Sequence, residues 1–285
     1  MYMFNGLAVN PAYAGSREVL STTMLYRHQW AGFEGAPKTL TFTAHAPLMN
    51  DKVGLGFSLI NDNIGVTNTL TLAGNYAYRI PMGKGKMSLG LLTTISHYKA
   101  KWEQLVVNDV TDRAFDENSK SLFIPNFGFG AYYYVPEKYY VGFSVPHLLH
   151  NSLNTNFELE GTTKVARQYN HYFATAGYVW SIRADFKIKP SVLFKYQPNA
   201  PFQADINLSL LMFESLWIGA SYRTGDAAVF IFEYYFAERL RAGYAYDYIL
   251  TEIGNFTSGS HEVMLGYEFR KKDDAYLTPR QMSYF

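Results

Sequence analysis

The sequence of this 285-residue chain predicts an all-β fold, a 14-stranded antiparallel transmembrane β-barrel of the bacterial outer-membrane type. Three observations predict it. Apolar and polar residues alternate along long segments, short and long connections alternate between these segments, and no apolar run is long enough to form a membrane-spanning helix. A sheet can cross a bilayer only when it closes on itself, because every backbone N–H and C=O must be paired there.

The alternation is clearest in residues 185–197. One face carries apolar side chains, namely Phe186, Ile188, Pro190, Val192, Phe194 and Tyr196. The other face carries mainly polar ones, namely Asp185, Lys187, Lys189, Ser191, Lys195 and Gln197, with Leu193 as the apolar exception. Successive strand residues point to opposite faces, so this pattern predicts one face toward lipid and one toward a polar lumen.

The pattern predicts fourteen strands, at residues 18–30, 38–48, 52–61, 66–80, 86–99, 124–135, 138–148, 168–180, 185–197, 201–212, 215–223, 226–236, 239–249 and 260–270. All the long connections follow odd-numbered strands and lie at residues 31–37, 100–123, 149–167 and 250–259. Bacterial barrels have short periplasmic turns and longer extracellular loops. The even strand count therefore predicts that both termini are periplasmic.

We expect a single domain with three parts. These are a periplasmic N-terminal segment at residues 1–16, the transmembrane barrel at residues 17–271 and a periplasmic C-terminal tail at residues 272–285. Tyr and Phe raise the aromatic content to 17%, as expected for aromatic girdles at two membrane interfaces. The net charge of +1 gives no electrostatic case for binding nucleic acid.

No residue pattern predicts an enzyme, a cofactor or a metal site. The seven histidines are scattered and form no metal-binding pair on a helix. Ser260, His261 and Glu262 are adjacent, but neighbours on a strand point to opposite faces. Acidic residues in the 100–123 connection lack the order of a calcium loop, and whether they bind calcium stays open.

Polar residues predicted to face the lumen gather at its extracellular end. They form a belt of mixed charge: Arg27, Gln29, Lys195, Gln197, Gln203, Asp205, Arg223, Asp247 and Glu262. Two interpretations remain open, internal ion pairs that close the lumen or a docking surface for something that arrives from outside. The candidate partner-binding residues at this mouth are Arg27, Gln29, Trp30, Lys195, Gln203, Asp205, Arg223, Asp247, His261 and Glu262.

Several motifs together resemble the PorP/SprF family, outer-membrane proteins of the type IX secretion system of Bacteroidota. They follow one another along nearly the whole chain and include Asn10-Pro11-Ala12-Tyr13-Ala14-Gly15, Tyr26-Arg27-His28-Gln29-Trp30, Gly243-Tyr244-Ala245-Tyr246-Asp247 and Gly259-Ser260-His261-Glu262. Near Thr278 the tail departs from the family's Pro-Arg-Tyr-Phe ending by an insertion.

The resemblance implies a non-enzymatic barrel that supports export and surface anchoring of a secreted protein, such as a gliding adhesin, with a type B C-terminal domain. We expect this domain to bind the mouth and the loops 100–123 and 149–167. Asn10, Pro11, Tyr13 and Gly15 are candidate contacts for periplasmic ring or lipoprotein components. Other expected contacts are outer-membrane lipid and lipopolysaccharide. The alternative is a diffusion channel or small-molecule transporter.

Overall fold

The computed structural model describes residues 2–101, 103, 121–151, 168–183, 185–236 and 239–269. The C-terminal tail predicted at residues 272–285 and most of the connections predicted at residues 100–123 and 149–167 lie outside this part of the chain. The described residues form one closed antiparallel sheet.

The sheet contains fifteen strand segments. They are β1 Leu20–His28, β2 Lys38–Leu48, β3 Val53–Ile64, β4 Thr67–Met82, β5 Gly85–Ala100, β6 Leu122–Val135, β7 Tyr139–Val145, β8 Tyr172–Tyr178, β9 Trp180–Arg183, β10 Phe186–Tyr196, β11 Gln203–Met212, β12 Leu216–Arg223, β13 Ala227–Phe236, β14 Leu240–Ile249 and β15 Ser260–Phe269. β8 and β9 both pair with β10 and are separated by Val179 alone. They are two halves of one wall strand, so the barrel has fourteen strands.

The barrel closes between its first and last strands. β1 pairs with β15 from Leu20↔Phe269 to His28↔His261, and β10 pairs with β11 on the far side. This closure leaves no long unpaired edge, which is the requirement for a sheet in lipid. The predicted fourteen-stranded antiparallel barrel is confirmed.

The predicted strand positions agree closely with the observed ones, as for β2 at Lys38–Leu48. The main difference is β9, Trp180–Arg183, where the sequence predicted a turn at residues 181–184. The register against β10 is continuous, since Gly177 lies opposite Ser191 and Trp180 lies opposite Ile188. The alternation of buried and exposed residues ends after Trp180, because Ser181, Ile182 and Arg183 are all exposed, and this part of the wall was therefore predicted as a turn.

The two faces of the wall differ as lipid and lumen require. On β13, Val229, Ile231 and Glu233 are buried, whereas Phe230 and Phe232 are exposed. Exposed large apolar side chains recur on every long strand, which suits an outer face in contact with lipid. In the part of the chain that the structure describes, no helix has the length and apolar character needed to cross a membrane.

The N-terminal segment lies inside the barrel. It contains two short 3-10 turns, Gly6–Ala8 and Pro11–Tyr13, and its apolar side chains contact the wall from within. Phe4 packs in a buried cluster with residues of β1, β13, β14 and β15, and Leu7 lies in a cluster with residues of β4, β6 and β7. The sequence predicted residues 1–16 as a periplasmic segment outside the barrel walls, whereas residues 2–16 in the structure contact the wall from inside.

Candidate functional site

The lumen has two ends that differ in their connections. We call the end with the connections at residues 29–37, 101–121, 146–171 and 250–259 the loop end, and the opposite end the turn end. We call residues 2–16 the plug. Among the described residues, it occupies the lumen from the middle of the barrel toward the turn end, and a large cavity lies above it at the loop end.

Asn10 fixes the plug to two adjacent wall strands. Its Nδ2 donates to the carbonyl oxygen of Ala131 on β6 at 3.0 Å and to that of Phe143 on β7 at 3.3 Å. Its Oδ1 accepts from the backbone N–H of Ala12 at 2.9 Å, so it also caps the turn Pro11–Tyr13. One asparagine side chain thus shapes the plug and attaches it.

Glycines in the wall give the plug room to approach. A methyl group at Gly54 on β3 would lie 2.0 Å from the carbonyl oxygen of Ala14, and one at Gly90 on β5 would lie 2.2 Å from the backbone nitrogen of Ala12. Non-bonded atoms do not come so close, so only glycine fits at these positions. The wall is therefore shaped to the backbone of the plug.

Buried charges hold the plug at the turn end. Arg17 lies 2.8 Å from the Glu268 carboxylate and donates to the hydroxyl of Tyr13 at 3.2 Å. Arg79 donates to the carbonyl oxygen of Gly15 at 2.6 Å. A buried charge is tolerated when it is paired and hydrogen-bonded, as these two are. The plug is thus anchored by its polar groups as well as by its packing.

The four residues that the sequence suggested for periplasmic contacts belong to this plug. Asn10, Pro11, Tyr13 and Gly15 are all buried against the inner wall. The ring of Tyr13 lies 5.5 Å from that of His45 and 5.7 Å from that of Tyr132. A periplasmic component reaches these side chains only if the plug moves, so that contact stays a prediction.

At the loop end, six of the predicted belt residues come together as a chain of ion pairs across six strands. Lys195 lies 2.9 Å from Asp205, and Asp205 lies 3.1 Å from Arg223. Arg223 then reaches Asp247 at 3.2 Å, Asp247 also binds Arg27 at 2.7 Å, and Arg27 binds Glu262 at 2.9 Å. We call these six residues the mouth network.

The mouth network borders a cavity of about 940 Å³ that is open at the loop end. Its lining includes Gln29 and Gln203 besides charged members of the network, and Tyr2 and Val9 of the plug also line it. The hydroxyl of Tyr2 accepts from Asn207 at 2.7 Å, one inward position below Asp205 on β11. The plug therefore contributes the floor of the cavity.

Trp30 and His261 lie apart from the cavity lining. Trp30 packs against the apolar cluster around Phe4, and its backbone N–H donates to the hydroxyl of Ser260 at 3.1 Å. His261 lies on the outer face of β15, because its neighbours Ser260 and Glu262 point inward. There its Nδ1 lies 2.7 Å from the hydroxyl of Tyr244. The structure thus gives His261 a place on the outer surface near the mouth.

Three mouth residues were missed in the sequence analysis, namely Tyr2, His171 and Asp226. Asp226 lies 3.0 Å from Arg223 on the tight connection between β12 and β13. His171 precedes β8 and lines the cavity. The charge of Asp226 three residues after Arg223 was the one available signal. Within the described residues, no three His, Asp or Glu side chains gather as ligands for a metal ion.

Comparisons with known proteins agree with this architecture. A FadL homologue of Pseudomonas aeruginosa is similar in fold, with a TM-score of 0.51 and 10% identity over 94% of each chain. The outer-membrane protein Omp33 of Acinetobacter baumannii gives a TM-score of 0.45 and 10% identity over 89% of this chain and 99% of its own. At such identities the likeness concerns the fold alone. No curated protein matches the chain in sequence.

The family comparison reaches further than the fold. Residues 1–267 match the family of type IX secretion system membrane proteins PorP/SprF, a stretch that includes the plug, the mouth network and every described strand except the end of β15. The match and the closed barrel together place the protein in the bacterial outer membrane. The chain belongs to the PorP/SprF family of type IX secretion system membrane proteins.

Proposed function

We propose that this protein is a non-enzymatic docking barrel that binds the type B C-terminal domain of a secreted surface protein at its mouth. The binding supports export of that protein and its anchoring at the cell surface. In this proposal the loop end faces outward and the turn end faces the periplasm, because longer loops are the external ones in bacterial barrels.

One observation carries the proposal, namely the cavity above the plug. Its lining consists of loop-end residues and the plug, and charged side chains are part of that lining. A partner that arrives from outside meets these side chains, while the plug supports them from below. The strand ends that the connections from β5 to β6 and from β7 to β8 join are at this end, and we expect these connections, predicted at residues 100–123 and 149–167, to supply further contacts.

The filled lumen favours docking over the alternative of a diffusion channel. A diffusion channel needs a continuous aqueous path, whereas Phe4, Leu7 and Tyr13 fill the middle of this lumen with buried side chains. Two internal spaces beside the plug are small, about 40 Å³ and 30 Å³. Such spaces hold one or two water molecules each.

The first test is purification of the tagged protein from its native outer membrane in gentle detergent, followed by mass spectrometry. We expect a large surface protein in near-equal amount, attached through its C-terminal domain. A variant of that surface protein without this domain is the control and should not be recovered. Recovery of the barrel alone, from cells that make the surface protein, contradicts the proposal.

A second expectation concerns the periplasmic side. If the turn end faces the periplasm, ring or lipoprotein components of the secretion machinery contact the tight turns, such as residues 49–52 and 136–138. Cross-linking from Lys52 or Lys138 in whole cells should recover such a component. Surface labelling of intact cells at these lysines contradicts the orientation.

A further inference from the structure

The charges around the mouth cavity are arranged in depth. The carboxylates lie behind, with side-chain exposures of 0% for Asp247 and Glu262 and 5% for Asp205. The cations lie in front, with 18% for Arg27, 28% for Lys195 and 12% for Arg223. The three cations and three carboxylates of the network balance in total charge. The cations are nevertheless the members that are more exposed to the cavity.

Neutral donors and one further acid complete this surface. The amide side chains of Gln29 and Gln203 line the same cavity as Arg27, Lys195 and Arg223. Asp226 is the exception to the order in depth, since it is 26% exposed, but it is bound to Arg223 at 3.0 Å. In the described part of the chain, Arg27 and Lys195 are ion-paired only with the buried carboxylates behind them. Hydrogen-bond donors on cations bind anionic oxygens more strongly than neutral donors do.

The shape of the cavity restricts how a polypeptide can enter it. Its floor is the plug, with Tyr2 and Val9, and its volume of about 940 Å³ is at the upper end of the range of about 300–1,000 Å³ for small-ligand sites. A pocket of this size that is closed below by the plug admits the end of a chain or a few side chains rather than a folded domain. An N-terminus is cationic and is repelled by the lining, whereas a C-terminus is anionic and is attracted.

We propose that the mouth cavity is a carboxylate-binding site that takes the C-terminal end of the docked surface protein, with its terminal carboxylate at Arg27, Lys195 and Arg223. This inference rests on the proposed function and adds to it which part of the partner the barrel recognises. The ion pairs behind the three cations hold them in place before the partner arrives, which lowers the entropic cost of binding.

The test uses the protein in its native membrane, with photo-reactive benzoylphenylalanine in place of Gln29, which lines the cavity. The same residue in place of Phe194, on the outer face of β10, is the positional control. After irradiation and purification, mass spectrometry identifies the cross-linked peptide. We expect the last residues of the co-purified surface protein from position 29 and none of its peptides from position 194.

Two lysine variants test the charge. Lys195→Gln removes the most exposed cation of the cavity and leaves Asp205 bound to Arg223. Lys86→Gln is the matched control, because Lys86 is also ion-paired, to Glu18, and is 29% exposed, but it lies at the turn end. The C-terminal cross-link should fall about tenfold or more in Lys195→Gln, since a bond to a charged group is lost, and should persist in Lys86→Gln.

A binding assay then distinguishes a terminal carboxylate from an acidic side chain as the bound group. Fluorescent synthetic peptides with the last ten residues of the cross-linked protein are titrated onto the purified barrel, once with a free carboxylate and once with a terminal amide. The amide should bind about tenfold more weakly or worse, and Lys195→Gln should remove that difference. Equal binding of the two peptides overturns the terminal-carboxylate assignment and identifies an acidic side chain or an uncharged contact as the source.

Each outcome distinguishes this inference from the proposed function. An internal peptide of the surface protein at position 29, or no cross-link while that protein still co-purifies, overturns the inference and leaves the docking function intact. No co-purifying surface protein overturns the docking function itself. If Lys195→Gln fails to fold, shown by lost heat-modifiable mobility in gel electrophoresis, the acid and amide peptides on the unchanged barrel still decide the question.

Discussion

The two halves of the lumen have the same polar-inward wall and use it differently. Toward the turn end the wall carries glycines such as Gly54 and Gly90, and the plug fills the space against them. Toward the loop end the wall carries the long side chains of Arg27, Lys195 and Arg223, and a cavity remains. In one half the polar inner face packs against the plug, because small inward residues leave room for it. In the other half, long charged side chains line an open cavity.

The buried charges of the two halves differ in the same way. At the turn end, Arg17 and Arg79 bind groups of the plug as well as of the wall. At the loop end the ion pairs join wall strands to each other, and their cations face open space. The two interpretations of the mouth belt, internal ion pairs and a docking surface, are therefore compatible. The buried carboxylates join the wall strands through ion pairs, and the same cations border the cavity.

The largest expected effect comes from replacing Gly90 with valine. The new side chain would overlap the backbone of Ala12, so the plug is expelled or displaced. We expect unchanged protein to be silent in planar bilayers and Gly90→Val to show discrete conductance steps. Trypsin should also cut after Arg17, which is buried in the native structure.

Gly74→Val is the matched control for this experiment. Gly74 lies on β4, and a methyl group there has no neighbour within 4 Å. It should remain silent and resistant to trypsin. If Gly90→Val showed no conductance and resisted trypsin, the wall rather than the plug would have moved to fit the valine. The glycines would then not explain why the plug fills this half.

The wall was predictable from the sequence, and the plug was not. Lipid on one side and polar groups on the other impose a period of two, as in the segment around Phe186–Tyr196. The plug has no period, because short 3-10 turns such as Gly6–Ala8 carry no repeating pattern. Glycine at inward positions of predicted strands was the available signal, since a strand loses stability at glycine unless another backbone lies close to it.

The mouth was predictable in part for the same reason. Strand parity places Glu262 in the lumen, and the same parity places His261 outside, on the face of Val263. The sequence had assigned both residues to the mouth, Glu262 as an inward-facing belt residue and His261 as a candidate partner-binding residue within the motif Gly259-Ser260-His261-Glu262. Asp247 is buried behind Arg27 because of the directions that side chains on β14, β15 and β1 take. The alternation of residues along each strand does not give these directions.

A smaller effect, on stability, is expected from the acids of the mouth network. Asp247 is fully buried and accepts from both Arg27 and Arg223. Asp247→Asn removes its charge and leaves two cations with fewer partners, which should lower the free energy of unfolding by about 3 kcal/mol. Urea unfolding of the barrel in lipid vesicles, followed by tryptophan fluorescence, measures this change.

Asp226→Asn is the control for Asp247→Asn. Asp226 is part-exposed and binds Arg223 alone among the described ion pairs, so its loss should cost at most about 1 kcal/mol. Equal losses in both variants would mean that burial does not distinguish the acids of the network. The division into buried carboxylates and presented cations would then lose its energetic basis.

The smallest expected effect is a dependence on pH at the loop end. His147 follows β7, and its ring lies 5.8 Å from that of His171, which lines the cavity. Burial, together with the charge of His171, lowers the pKa of His147 to about 4. Because this pKa lies below the value of about 6.5 for an unfolded histidine, the open form binds more protons between these values.

Acidification from about pH 6.5 toward pH 4 should therefore loosen the segment around His147, and neutral pH should restore it. Hydrogen exchange of the amides of residues 147–150 measures this change, with the amides of β12, Leu216–Arg223, as the internal reference that should not respond, since this strand carries no histidine. In His147→Gln the dependence should disappear. A response of the β12 amides in the same range would show that protonation acts on the whole barrel and would overturn the assignment to His147.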